Sequence, residues 1–352
     1  MTESLIDLHT QLEKFNLHVH FSWRGRVLGV FGPSGAGKSV FIESLVGIHP
    51  TEGKAAVSGY TVMDTPNGFE PPLYKRSIGW VPQDASLFPH LTCKQNIQFA
   101  HRSDGSMNIE SLLDIFELKG VKDQLPPKLS GGEKIRTALA RAIASNPKVL
   151  LLDEPMAALD VPLRHRIFPY LLKLKEQFSM PMIFVSHNVD EIWSFTDYVI
   201  ILDKGSVMAS GPTQSTLESS DVPKLEDTLN QYNRFEATVL DASSPQKVRL
   251  ASGQILYTSQ WIENGRNKTY VNIPPDEILV SLAKIHLISA RNQIQGTIVD
   301  MRNVKGSKLM TVDAGEHWTV RITENAQKEL KFEIGKEVNL IFKASAVRIS
   351  LK

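Results

Sequence analysis

The sequence predicts an α/β domain with a parallel sheet, followed by a small all-β, OB-like barrel domain. Three observations predict it. A glycine-rich loop at residues 32–39 lies between an apolar run and a helical run. A second apolar run, at 149–152, ends in two carboxylates. Beyond residue 230 the helical pattern gives way to short runs rich in β-branched and aromatic residues, separated by turn residues.

The first element is Arg26–Phe31, an apolar run short enough for a buried strand, and Val40–Val46 reads as a helix. Between them Gly32, Pro33, Ser34, Gly35, Ala36, Gly37, Lys38 and Ser39 fill the pattern G-x-x-x-x-G-K-[ST]. A glycine-rich turn from strand to helix aims backbone N–H groups and a helix N-terminus at one anion. The chemistry is that of a phosphate-binding P-loop, in which Lys38 would reach the outer phosphates of a nucleotide and the Ser39 hydroxyl would ligate Mg²⁺. The alternative is a chance glycine-rich turn, which the flanking strand and helix disfavour.

Val149–Leu152 reads as a buried parallel strand, and Asp153-Glu154-Pro155 follows at its C-terminal edge. Ligands of open α/β sheets bind at that edge. Asp153 suits a Mg²⁺ contact, and Glu154 suits polarising a water for attack on a γ-phosphate. Leu129-Ser130-Gly131-Gly132-Glu133 follows Pro126-Pro127 and opens a long amphipathic run to Ala144. Ser130 and Glu133 have capping-box spacing. Two glycines at a helix start cost about 1 kcal/mol each relative to Ala, a cost expected where a backbone approaches a ligand closely.

With these residues in place, the chain over residues 1–230 resembles the ATP-binding subunits of ABC transporters, and Leu129–Glu133 resembles their signature motif with Glu in the last position. Gln83 resembles the Q-loop glutamine, Met156–Asp160 the D-loop, and His187, after the predicted strand Met182–Val185, the switch histidine. The resemblance implies catalytic roles for Glu154, His187 and Gln83, and Mg²⁺ contacts from Ser39, Gln83 and Asp153. It also implies a homodimer in which Ser130, Gly131, Gly132, Glu133 and Asp160 of one chain meet the ATP of the other. Family members stack an aromatic residue on adenine; Phe15, His9 and His20 are candidates here, with Phe21 and Trp23 read as core and turn residues. Val40, Ile135 and Ala157 depart from the family's common residues, and none of them removes a group needed for hydrolysis.

A length of 352 residues suits about two domains. A net charge of +1 gives no electrostatic case for nucleic acid. The single Cys93 forbids an internal disulfide and is expected to be a buried structural thiol in a reducing compartment. No run approaches the roughly 20 apolar residues that span a bilayer, and the N-terminus lacks the pattern of a signal peptide. The resemblance therefore implies a peripheral protein on the cytoplasmic face of the cell (inner) membrane. Separate integral permease subunits would form the pore, and a periplasmic or extracellular binding protein would deliver substrate.

Residues 84–145 are expected to form a helical subdomain, with a helix near Asn108–Phe116. In importers of this family the surface after the Q-loop, here Ala85–His90, receives a short permease helix; Leu87 and Phe88 fit that surface or the core equally. Tyr198–Leu202 and Ser206–Ala209 read as a hairpin across Asp203-Lys204-Gly205, and Gly211–Val222 as a helix and linker.

Residues 231–288 are expected to hold a linker and a first barrel half, and 289–352 a second. The predicted strands are Glu236–Leu240, Val248–Leu250, Ile255–Tyr257, Gly296–Val299, Leu309–Val312, Trp318–Ile322 and Val338–Phe342. Thr238–Asp241 echoes Thr297–Asp300, as two related barrels in tandem would. Ser289–Asn292, Gly296–Val299, Arg321–Thr323 and Phe342–Ser345 resemble the molybdate-binding (Mop/TOBE-like) barrel module. That likeness implies an oxyanion site built from Ser289, Arg291, Lys343 and Ser345, against the alternative of a purely structural barrel. The function it implies is the ATP-hydrolysing motor of a molybdate importer. The alternatives are an importer ATPase for sulfate, tungstate, polyamine or sugar, and a soluble non-transport ABC ATPase.

Overall fold

The computed structural model describes residues 2–102, 107–157, 159–218, 233–241, 246–259, 268–304 and 307–350. Two units, Met1–Ser219 and Ser220–Lys352, each fold around their own apolar core. The boundary expected at residue 230 lies within 219–232, outside the described residues.

In the first unit, strict alternation sets β1 (Ser4–Leu12) and β2 (Phe15–Trp23) as antiparallel strands buried on one face only. Ile6, Leu8, Leu17, Val19, Phe21 and Trp23 point inward, and His9, His18 and His20 are exposed. Next come β3 (Val27–Phe31), buried throughout, and α1 (Lys38–Val46). After them lie β4 (Glu52–Val57), β5 (Tyr60–Asp64) and β6 (Ile78–Val81). Three helices follow: α2 (Cys93–Ala100), α3 (Ile109–Ile115) and α4 (Gly131–Ala144). The core then resumes with β7 (Val149–Asp153), α5 (Val161–Gln177), β8 (Met182–Val185) and α6 (Val189–Phe195). It closes with β9 (Tyr198–Asp203), β10 (Ser206–Pro212) and α7 (Thr213–Glu218).

These strands make one ten-stranded sheet in the order β5-β4-β1-β2-β10-β9-β3-β8-β7-β6. From β9 to β6 the neighbours run parallel, so β3, β8, β7 and β6 present their C-terminal ends along one edge. The opposite end, β5-β4-β1-β2, is an antiparallel layer. The hairpin of β9 and β10 forms across Asp203-Lys204-Gly205. Cys93 is buried against the Thr137 hydroxyl at 3.3 Å, and burial pushes its thiol up.

The second unit is all-β. β11 (Asn233–Asp241), β12 (Gln246–Leu250), β13 (Ile255–Thr258) and β14 (Lys268–Ile273) come first, and β15 (Leu279–Ser281) follows. Then come β16 (Asn292–Val304), β17 (Ser307–Asp313), β18 (His317–Ile322), the helix Glu324–Leu330, β19 (Glu337–Phe342) and β20 (Arg348–Ser350). Two five-stranded sheets result, β13-β12-β11-β14-β20 and β18-β17-β16-β19-β15. They are topological copies with their last strands exchanged. β15 leaves the first half to pair with β19, and β20 leaves the second half to pair with β14. The echo noted in the sequence sits at the same place in each copy, where β11 bulges between Val239 and Asp241 and β16 between Ile298 and Asp300.

The exchange means that the halves fold together and not as beads in tandem. One core holds residues from both, with Trp318 stacked between Phe235 and Phe342 at 4.6 and 5.4 Å. Two buried asparagines stitch the halves, each at the first residue of its copy's long strand. Asn233 donates to the Thr319 carbonyl at 2.8 Å and accepts from the Thr319 N–H at 2.5 Å. Asn292 donates to the Tyr257 carbonyl at 3.0 Å and accepts from its N–H at 2.8 Å.

Candidate active site

The loop Gly32–Gly37 links β3 to α1 at the parallel edge of the first sheet. Its turn closes through the Ala36 N–H on the Pro33 carbonyl, and the Ala36 carbonyl accepts the Gly205 N–H at 2.9 Å from the β9–β10 hairpin. Gly37 caps α1 with φ of 102°, and a Cβ there would lie 2.6 Å from the Phe15 ring. Both facts require glycine. The Lys38 ammonium is nearly buried and donates to the Gly32 and Pro33 carbonyls at 2.9 and 3.0 Å, arching over the loop that the phosphates are expected to fill. Ser39, one residue into the helix, is exposed.

Asp153 and Glu154 sit where β7 ends. Glu154 takes a left-handed backbone, φ 43°, an unusual setting for a residue with a Cβ that costs about 1–2 kcal/mol. Its N–H donates to the Val185 carbonyl of β8, and its carboxylate lies between two partners. Lys38 Nζ is 3.5 Å from Oε1, and His187 Nδ1 is 2.9 Å from Oε2. The structure therefore joins the phosphate loop, the acidic strand end and the expected switch histidine in one contact set. Asp153 is buried beside them, and its carboxyl is pushed up to about 6, first by burial and then by the charges of Glu154 and Glu43. Glu43, one turn and a half into α1, was not singled out in the sequence because nothing local marks it.

Gln83 follows β6 at the same edge, exposed in a turn, and makes no contact with the others in this geometry. A buried carboxylate with negative neighbours fits a hard divalent cation, which takes oxygen donors.

Ser130 and Glu133 form the capping box expected of them. The Ser130 hydroxyl accepts from the Glu133 N–H at 3.3 Å and donates to the Glu133 carboxylate at 2.7 Å, which also accepts the Ser130 N–H at 2.7 Å. These bonds hold the Glu133 carboxyl below its ordinary range. Gly131 and Gly132 have an in-chain reason as well. A Cβ on Gly131 would stand 3.1 Å from Leu159, and one on Gly132 2.9 Å from Ile167, so the pair lets α4 lie close on α5. Asp160 caps α5, accepting the Leu163 N–H at 2.9 Å. Ala158 of the expected D-loop lies outside the described residues.

Of the aromatic candidates, Phe15 is the one beside the loop, half-buried against Gly37. His9 meets His18 edge-on and His20 faces Asp7 at 3.4 Å, both on the exposed face of β1 and β2. Phe21 and Trp23 are core, and Trp23 ends β2 instead of lying in a turn. Leu87 and Phe88 are half-buried; Phe88 packs on the exposed Phe99 at 4.6 Å and under the Arg141 guanidinium at 5.5 Å.

In the second unit Ser289, Arg291, Lys343 and Ser345 are all exposed. Asn292 pairs with Phe342, so Arg291 and Lys343 flank one end of the β16–β19 ladder. The equivalent turn of the other copy, after β14, carries Pro274 in place of Lys343 and Asp276 in place of Ser345. There Arg321 lies 3.1 Å from Asp276 and Arg348 2.7 Å from Glu277.

The ABC transporter family matches residues 14–157 and the TOBE domain family residues 288–349. The chain is 31% identical over 348 residues to the molybdenum import ATP-binding protein ModC of Mesorhizobium japonicum, covering 96% of this chain and 94% of the relative. It is also 31% identical to that of Rhizobium etli, covering 97% and 99%. A nucleotide-free ATP-binding cassette from an ABC transporter superposes with a TM-score of 0.53 at 21% identity, covering 63% of this chain and 97% of the cassette, a likeness of fold.

Proposed function

We propose that this chain, which belongs to the family of ABC transporter ATP-binding proteins, is the ATP-hydrolysing motor subunit of a molybdate importer. The observation that carries the substrate is the extent of the likeness. It runs through the second unit as well as the first, and the relatives that share this full length are named for molybdenum import. No helix among the described residues is long and apolar enough to cross a membrane, which suits a subunit docked on separate permeases at the cytoplasmic face.

On this reading each site residue has a task. The loop N–H groups of Gly35 to Ser39 and the N-terminus of α1 bind the phosphates of ATP, and Lys38 turns from the loop carbonyls to the outer oxygens. Ser39, Asp153 and Gln83 would hold Mg²⁺, which would neutralise charge on the phosphate oxygens. Glu154 accepts the proton of the attacking water as the new O–P bond forms and the bond to ADP breaks. His187, held 2.9 Å from Glu154, positions that carboxylate and the γ-phosphate. In the two-fold dimer Ser130, Gly131, Gly132, Glu133 and Asp160 close on the partner's nucleotide; the Ser130 hydroxyl, which donates to the Glu133 carboxylate at 2.7 Å, turns its proton to phosphate. ATP binding thus favours the closed dimer, and hydrolysis releases it.

The test is uptake of radiolabelled molybdate into vesicles holding the chain with its permease and binding protein. ATP-driven uptake of molybdate, with sulfate, polyamine and sugar excluded, is the expected result. Uptake of one of those in its place overturns the substrate, and a chain that binds no permease and drives no uptake overturns the transport role.

A further inference from the structure

Glu191 is a charged residue with no part in the site described above, yet it is almost fully buried. It lies in the first turn of α6, and its two oxygens serve different elements. Oε2 accepts from the Ser186 hydroxyl at 2.6 Å, and that hydroxyl in turn accepts the Asn188 N–H at 3.0 Å. Ser186 and Asn188 flank His187 on both sides. Oε1 stands 3.6 Å from Arg164 Nε on α5. Arg164 Nε is itself buried and makes no hydrogen bond, so Glu191 meets it as an ion pair, while its NH2 group reaches the Leu159 carbonyl at 3.5 Å. Leu159 and Asp160 form the turn that starts α5.

Burying a carboxylate is costly, and burial pushes that of Glu191 up against the opposing pull of Ser186 and Arg164. Apolar residues of similar volume would hold α5 to α6 at lower cost, so the charge points to positioning. We propose that Glu191 and Arg164 are a positioning pair that ties the His187 loop to the Leu159–Asp160 turn. Through it, the partner-facing turn sets how His187 meets Glu154. This rests on the reading that His187 and Asp160 serve hydrolysis in a dimer. Closing of a partner on Asp160 is then felt at His187 through two side chains, without movement of the sheet between them.

The full-length protein carrying Glu191→Gln tests it. The amide keeps the size and the bond to Ser186 but removes the charge that Arg164 meets. The expected result is a loss in kcat of about tenfold, the scale of a small misplacement of a catalytic group, with ATP Kd within about twofold of the parent. The Hill coefficient for ATP should fall toward one, since the link carries partner closure to the site. Arg164→Lys, which keeps a charge, should retain more kcat than Arg164→Met. In a His187→Ala background, Glu191→Gln should change the residual rate no further. If Glu191→Gln does not fold, Ser186→Ala, which deletes one hydroxyl, should lower kcat in the same sense. Unchanged kcat and Hill coefficient in a folded Glu191→Gln protein overturn the link, as does a further full loss on top of His187→Ala. Glu154→Gln serves as control: if it retains turnover, the hydrolytic reading itself has failed, and if it alone is inactive, only the link has.

Discussion

Asp153→Asn should make the nucleotide-free, magnesium-free protein more stable while it destroys turnover. The carboxyl is buried at the end of β7 and stands at about 6 because burial, Glu154 and Glu43 all oppose its charge. Moving it there from 3.8 corresponds to about 3 kcal/mol of disfavoured ionisation at neutral pH. The sign follows from linkage. Below about pH 4 the group is protonated in both folded and unfolded chains, and the substitution gains nothing. Between about pH 4 and 6 the folded state holds a proton that the unfolded state has lost, so parental stability falls as pH rises. Above about pH 6 the full difference applies. For a unit of this size, about 3 kcal/mol raises Tm by about 6–12 °C. Calorimetry of both proteins in chelator at pH 5 and pH 7.5 reads the effect, with the larger gap at pH 7.5. Adding Mg²⁺ and ATP should stabilise the parent more than the variant. Equal melting at pH 7.5, or a gap that does not change with pH, would refute the account of a cation-hungry carboxylate.

Glu154→Gln should nearly abolish hydrolysis and leave ATP binding intact, measured by phosphate release and nucleotide titration; near-normal turnover removes Glu154 from its role. Ser130→Arg should silence the homodimer, and mixing it with Lys38→Ala chains should restore part of the rate, because both lesions then fall in one of two composite sites. Full activity of the pure Ser130→Arg homodimer would leave Ser130 as a helix cap worth about 1 kcal/mol. The second unit should bind one molybdate per chain and not two, since Asp276 and Pro274 stand where Ser345 and Lys343 do in the other copy. Arg291→Ala and Lys343→Ala should weaken that binding at unchanged ATP affinity, and calorimetry showing no heat at millimolar molybdate would leave the barrel structural.

Much of the nucleotide site was legible because its determinants are local. The G-x-x-x-x-G-K-S run, the apolar strand closed by Asp153-Glu154 and the Ser130–Glu133 spacing each carry their geometry within a few residues. Val27–Phe31, Val149–Asp153 and Met182–Val185 are continuous apolar runs because a central parallel strand is buried on both faces, and that pattern survives in the sequence. The reasons behind single residues were less visible. Gly131 and Gly132 read as ligand-facing, yet their missing Cβ atoms also make room for Leu159 and Ile167, some thirty residues away.

The antiparallel layer of β1, β2, β4 and β5 and the short strands β14, β15 and β20 were not foreseen. Residues 4–23 do alternate apolar and polar, but alternation states only which face is buried and names no partner. The repeat of Thr238–Asp241 at Thr297–Asp300 was in the chain, and extending it by the same spacing reaches Asn233 and Asn292. Sequence alone thus determined which chemistry the chain carries and that its tail is doubled. Only the tertiary structure decided that the doubled halves exchange their last strands and clamp one another through two asparagines. It likewise decided that Glu43 weighs on Asp153 and that Glu191 reaches Arg164. Strand pairing and buried charge are energies of contact between residues far apart in the chain, so neither leaves a local mark.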